Sequence, residues 1–360
     1  MSDPSGAKQR ERSRSRRVYD AIVHLISAIL FALTHPQQTG RACYRAFRAE
    51  MQRSGKAWLF ILPVLVALAL VIGYPVASAV IMSFQKDSGI DPATGMFVEG
   101  GNAGFSNYTH WLFQQCNTPG GLIDCPTGTL GSQFWAAVGI TLFFAVITVT
   151  LEATLGLGMA MVMGKSFRGR ALLRAAVLIP WAIPTAVTAR LWEFMFQYDG
   201  VVNRVLGTHI LWTTDPWASR FAVVLADVWK TTPFMALLLL AGLQVIPADV
   251  YEAAKVDGAS AWQRFIRITL PLLKPALLVA ILFRTMDALR MYDLPAIMML
   301  GNPSTTTLSI LVVDQTRSGT NSAAALSTIT FLLVFAIAFV LVKVLGANAV
   351  RTQEEQRKAA

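Results

Sequence analysis

Six long apolar stretches constrain this chain more than any other feature. They cover about residues 57–84, 134–163, 171–196, 221–245, 272–300 and 323–345. A bilayer core is about 30 Å thick and a helix rises about 1.5 Å per residue, so roughly 20 apolar residues cross it. Charge is correspondingly scarce. Only 14% of the 360 residues are Asp, Glu, Lys or Arg, and 54% are hydrophobic, against about 25% charged in a soluble domain. The fold class expected is an all-α membrane protein with six transmembrane helices.

Loop charge orients the spans. Residues 164–174 carry Lys165, Arg168, Arg170 and Arg174 without an acid, residues 246–275 carry Lys255, Arg264, Arg267 and Lys274, and the tail carries Arg351, Arg357 and Lys358. Residues 85–133 carry Lys86 against Asp87, Asp91, Glu99 and Asp124. Basic loops stay in the cytoplasm. Both termini are therefore expected inside a plasma (inner) membrane, with 85–133 outside, and an even number of spans agrees. The same rule accounts for the net charge of +10 without a nucleic-acid partner, for which no recognition motif exists.

Residues 1–56 form a basic cytoplasmic extension. Residues 1–17 are Ser/Arg/Lys-rich and expected to be disordered. Residues 18–33 place Val18, Ile22, Leu25, Ile26, Ile29 and Leu33 opposite Asp20, His24 and Ser27, an amphipathic interfacial helix. A signal peptide is the alternative, against which Thr34-His35-Pro36 is a poor cleavage site. Cys43 lies in this extension, whereas Cys116 and Cys125 share the outer loop across a Pro-Gly-Gly turn. An oxidising exterior permits a disulfide there, although spacing alone does not set the Cα separation. With no CxxC and four scattered His, no metal site is expected.

Gly164-Lys165-Ser166 resembles the end of a phosphate-binding loop, but Gly158 stands one residue too far away and the segment closes an apolar helix. ATP binding by this chain is rejected. Gly156, Ala160 and Gly164 recur every fourth residue and suit close helix packing. No HExxH or GxSxG pattern is present, and no enzymatic activity is expected.

The cytoplasmic segment 246–275 is the most informative. Pro247 suits the first position of a helix, Asp249 and Glu252 favour its positive end, and Gly258 suits a left-handed cap. Residues 260–269 suit a second short helix with Trp262, Phe265 and Ile266 on one side. Leu270-Pro271 and Pro275 are expected to redirect the chain into the fifth span. Glu252-Ala253-Ala254, Asp257-Gly258-Ala259, Phe265, Ile268 and Leu270-Pro271 resemble the EAA signature of binding-protein-dependent ABC importer permeases.

That resemblance implies the six-helix type I importer permease core over residues 57–346, followed by a cytoplasmic tail at 347–360. It implies that Glu252, Ala253, Ala254, Asp257, Gly258, Ala259, Leu270 and Pro271 form a coupling surface for a separate ATPase. ATP and Mg would then be bound by the partner, with no cofactor in this chain. The other implied partners are a second permease subunit, two ATPase subunits and an extracytoplasmic sugar-binding protein or lipoprotein, in a lipid membrane. The runs from Leu59 to Pro63 and Ile179 to Pro184, with Tyr74-Pro75, resemble the maltose-type sugar branch. The runs from Val228 to Met235, Val256 to Trp262 and Leu282 to Asp287 resemble, within that branch, the trehalose-importer permeases of mycobacteria and their relatives.

Ionisable residues within spans cost about 2.5–3.5 kcal/mol each on insertion scales, so each needs a reason. Glu152, Arg190, Glu193, Asp227 and Lys230 are such groups. Arg284, Asp287, Arg290 and Asp293 form a ladder in steps of three on the fifth span, which drifts round a continuous helix. Helix pairing and substrate contact divide them. Trp181 and Tyr292 offer rings, and Thr185, Thr188, Arg290 and Asp293 offer polar groups, for a sugar. Import of trehalose or a related di- or oligosaccharide is the reading. A polyol or glycerol-phosphate permease is the same machinery with different cargo. An ion-coupled secondary carrier would instead need inverted repeats and broken helices at the midplane.

Overall fold

The computed structural model describes residues 61–90, 95–118 and 121–359. The amphipathic helix expected at 18–33, the rest of the 1–56 extension with Cys43, and residues 57–60 lie outside the described residues. The chain divides into two compact units, 1–78 and 79–360. In the first, the described residues form most of helix α1 (Ile61–Met82), which widens into a π-turn at Ala69–Gly73.

Among the described residues, the regular structure of the second unit is helical apart from three small antiparallel strand pairs on the segment after α1. They pair β1 (Gln85–Lys86) with β4 (Gly101–Asn102), β2 (Gly89–Ile90) with β3 (Phe97–Val98), and β5 (Gln115–Thr118) with β6 (Gly121–Asp124). Helix α2 (Ser106–Phe113) lies between the last two hairpins. Its Trp111 is fully buried among Phe134, Leu308, Leu311 and Leu326. Cys116 and Cys125 are joined by a disulfide across the β5–β6 hairpin, with Cα atoms 4.9 Å apart.

Then come α3 (Phe134–Met163), α4 (Arg170–Ala182), α5 (Thr185–Met195), α6 (Val201–Leu206), α7 (Pro216–Gln244), α8 (Ala248–Val256), α9 (Ala261–Ala288), α10 (Asp293–Met298), α11 (Leu308–Ser318) and α12 (Thr320–Ala359). Among the described residues, five helices are long and apolar enough to cross a membrane, or six if the bent pair α4–α5 is one span. The second span occupies the expected residues. The fourth starts earlier, because Asp215 caps it by accepting from Trp217 N (3.0 Å) and Ala218 N (2.8 Å), with Pro216 at its first position. The sixth runs on as helix into the expected tail, and the stretch between the expected fifth and sixth spans contains α11.

Four expectations are corrected. The third span is not one rod. Ile183 precedes a proline and is extended (φ −72°, ψ 132°), Pro184 has no N–H to continue the ladder, and α4 and α5 are bent by 89°. The fifth span does not run to 300. Its helix ends at Ala288, and Pro295 cannot donate to the Met291 carbonyl, which instead accepts from Thr307 Oγ1 at 2.7 Å. Nor is the chain redirected at 270–275. A π-turn at Phe265–Thr269 widens the helix ahead of Pro271, and α9 passes through. Pro247 caps α8 rather than starting it.

The central packing is α3 against α7. A Cβ on Gly156 would lie 2.9 Å from Met235 Cγ and 3.2 Å from the Ala236 nitrogen, so only glycine lets the two backbones approach this closely. Ala160, Met163, Met235, Ala236, Leu239 and Leu273 complete that core.

Candidate functional site

Three helices meet around one arginine. Arg284 on α9 is 2% exposed. Its Nε donates to Glu152 Oε2 and its Nη2 to Glu152 Oε1 (2.5 and 3.0 Å), a bidentate pair with α3. Nη2 also donates to Asp227 Oδ2 on α7, and Nη1 donates to Asp287 Oδ2 one turn along α9 at 3.0 Å. Glu152 is fully buried, whereas the Asp287 side chain is 71% exposed. A buried ion costs several kcal/mol unless it is paired and hydrogen-bonded. The planar fork of arginine can serve three carboxylates at once, which a lysine ammonium could not do with the same geometry.

One turn of α7 reaches in three directions. Asp227 meets Arg284 on α9. Lys230 Nζ donates to the Ile183 carbonyl in the α4–α5 break at 2.5 Å, and Thr231 Oγ1 donates to Glu152 Oε1 on α3 at 2.5 Å. The spacing of three and four residues puts all of them on one side of the helix.

Beside this network lies a cavity of about 140 Å³ lined by Thr185, Asp227, Lys230, Thr231, Arg284, Asp287, Arg290, Met291, Tyr292, Asp293 and Leu294. Thr185, Arg290, Tyr292 and Asp293 of the expected pathway therefore come together. Trp181 and Thr188 do not line it. Trp181 stacks on Phe234 with ring centroids 5.8 Å apart, and Thr188 is buried in α5. The four-charge ladder is not a ladder, since Arg290 and Asp293 lie beyond the end of α9 and reach the cavity from a turn and from the start of α10. Arg190 pairs with Glu193 at 2.7 Å, away from this cavity. Glu152 as the partner of Arg284 was missed. Its signal is a lone acid in an otherwise apolar run, which demands a cation from elsewhere.

The second constellation is the loop that carries the EAA-like residues. Helix α8 ends in a Schellman cap. Gly258 takes φ +76°, its N–H bonds the Lys255 carbonyl (3.1 Å), and Ala259 N–H bonds the Ala254 carbonyl (2.9 Å). Ser260 then starts α9 with a capping box to Gln263. Tyr251 and Thr269 hydroxyls, 3.0 Å apart, tie α8 to α9. Glu252, Ala253, Asp257, Gly258 and Pro271 are exposed, and Ala254, Ala259 and Leu270 are half-buried. Around them Val256, Trp262 and Ile266 stand exposed, an apolar surface on a polar loop.

Residues 152–350 match the family described as binding-protein-dependent transport system inner membrane component. The trehalose/maltose transport system permease protein of Thermococcus litoralis is 40% identical over 295 residues, covering 80% of this chain and 92% of that protein. The trehalose transport system permease protein of Mycobacterium tuberculosis is 36% identical over 316 residues, covering 87% and 96%. A bacterial ABC transporter involved in the import of the acidic polysaccharide alginate shares the fold, with TM-score 0.66 at 19% identity over 84% of this chain and 99% of that one.

Proposed function

The chain belongs to the family of binding-protein-dependent transport system inner membrane components, and on that premise we propose that it is a permease subunit of an ATP-driven importer of a sugar, trehalose or a related di- or oligosaccharide. One observation carries the mechanical part. The loop with Glu252 to Ala259 is tied to α9 by the Tyr251–Thr269 hydroxyl pair and by Arg264 Nη1, which donates to the Ala259 carbonyl at 2.6 Å, and α9 runs without a break from that loop to Arg284 and Asp287 at the cavity. A displacement of the loop reaches the cavity through one helix.

In this reading both termini are cytoplasmic. Two ATPase subunits bind ATP and Mg and grip the exposed face of α8 and the Gly258 turn. A second permease subunit completes the pathway, and an extracytoplasmic binding protein delivers cargo to the disulfide-bearing side. This chain makes and breaks no covalent bond. The cavity balances Asp227, Asp287 and Asp293 against Lys230, Arg284 and Arg290. Such a lining suits a neutral polyhydroxylated cargo. A glycerol phosphate would need an excess of base. The α4–α5 break is a feature shared with ion-coupled carriers, but such a carrier gives the α8–Gly258 loop no task.

Uptake of radiolabelled trehalose, maltose and glycerol phosphate by a deletion strain, with and without the restored chain, tests the reading. Restoration of disaccharide uptake alone is expected. Restoration of glycerol phosphate uptake alone, or of uptake that persists after ATP depletion and collapses with the ion gradient, would overturn it.

A further inference from the structure

We propose that Lys230 is a positioning residue of the pathway: its ammonium holds the α4–α5 break by bonding the Ile183 carbonyl and so sets Thr185 on the cavity wall. The inference rests on the importer reading only for its transport readout.

A break inside a membrane span frees backbone carbonyls that lipid cannot satisfy, so protein must supply the donor. Ile183 is the first residue beyond α4, extended by the proline after it, and the hydrogen bond to its carbonyl comes from Lys230. A cation is well placed there, since the end of α4 presents the negative end of its dipole. Lys230 is 8% exposed and rides on α7, the most buried of the five long apolar helices among the described residues. One turn further along α7, Phe234 stacks on Trp181 in the last turn of α4. The end of α4 is thus fixed to α7 at two points. Pro184 and Thr185 come directly after the Ile183 carbonyl, so anchoring that carbonyl also anchors the start of α5, where Thr185 lines the cavity. Lys230 lines it too, but its hydrogen bond goes to backbone. Asp227 and Asp287 line the same cavity and balance its charge locally.

The test compares K230M and K230R in the full-length chain within the assembled importer. Spin labels go on I179C and V187C, exposed positions on either side of the break, in a C43S background. Wild type and K230R should give one narrow label–label distance, and K230M a broad or shifted distribution. In uptake, K230M should raise the apparent KM about 10-fold to 100-fold, the scale of one hydrogen bond to a charged group, with K230R recovering most of it. A K230M distance distribution that superimposes on wild type would overturn the proposal, whatever uptake does. A raised KM with an unmoved break would instead make Lys230 a cargo contact. If no sugar is taken up even by wild type, the importer reading fails, while the distance measurement still judges Lys230.

Discussion

Replacing Arg284 with Met keeps most of the side-chain length and removes the cation that Glu152, Asp227 and Asp287 share. Glu152 and Asp227, with side chains 0% and 8% exposed, are then left buried without their partner. Removing one member of a buried ion pair costs about 3–5 kcal/mol. At about 2–4 °C per kcal/mol for a chain of this order of size, unfolding should move down by about 6–20 °C. The assay is thermal unfolding of the purified importer in detergent, with D287N and the triple variant E152Q/D227N/R284M beside it. D287N should shift stability by less than about 1 kcal/mol, because that side chain is 71% exposed and solvated ion pairs contribute little. The triple variant should recover most of the loss, since neutral partners carry no uncompensated charge. An R284M melting point within about 2 °C of wild type, or a triple variant no more stable than R284M, would refute the view of Arg284 as the electrostatic centre of the bundle.

Other positions test other links. G258V should insert normally and lose uptake. The turn holds φ +76° with open space around the Cβ position, so the cost is backbone strain of about 1–3 kcal/mol at the cap, and normal uptake would sink the coupling role. G156L should destabilise by about 1–3 kcal/mol through overpacking against Met235 and Ala236, as a lowered melting point. G139L, with nothing within 4 Å of its Cβ position, should not, and equal losses would refute the packing argument. R290A and D293A should change the apparent cargo affinity in uptake assays. Unchanged kinetics in both would remove these residues from the pathway.

What was legible in the sequence was local. The α3 span and the Gly258 stop of α8 lie where the sequence put them, whereas the equally local Asp215-Pro216 start of α7 lies ahead of the expected span. The misread shapes of the third and fifth spans each involve a proline whose outcome its own residue does not decide. Ile183-Pro184 could kink a helix or break it, and the difference is whether a donor reaches the freed carbonyl. Lys230, 47 residues away, does so. Pro295 could bend the fifth span or end it, and Thr307 takes the carbonyl that the proline abandons. Pro271 could turn the chain, but a π-turn absorbs it. Propensity names these sites of trouble without naming the remedy. The charge pairs have the same limit. Steps of three along one span suggested Arg284 with Asp287, which is the exposed arm, while the buried partners Glu152 and Asp227 stand 132 and 57 residues away.

These long-range partners also explain why the cavity sits where it does. Polar groups in a membrane span are tolerated where other protein groups satisfy them, so the break in α4–α5, the end of α9 and the Arg284 cluster stabilise one another by being adjacent. Lys230 serves the break and Asp227 serves Arg284 from the same turn of α7, with both residues lining the cavity. Each satisfied group leaves a neighbour facing the open space, namely Thr185, Asp287 and the residues from Arg290 to Asp293. A polar, hydrogen-bonding surface thus arises inside an apolar bundle from the remedies to backbone interruptions. It is joined to the α8–Gly258 loop by the one helix, α9, that carries Arg284.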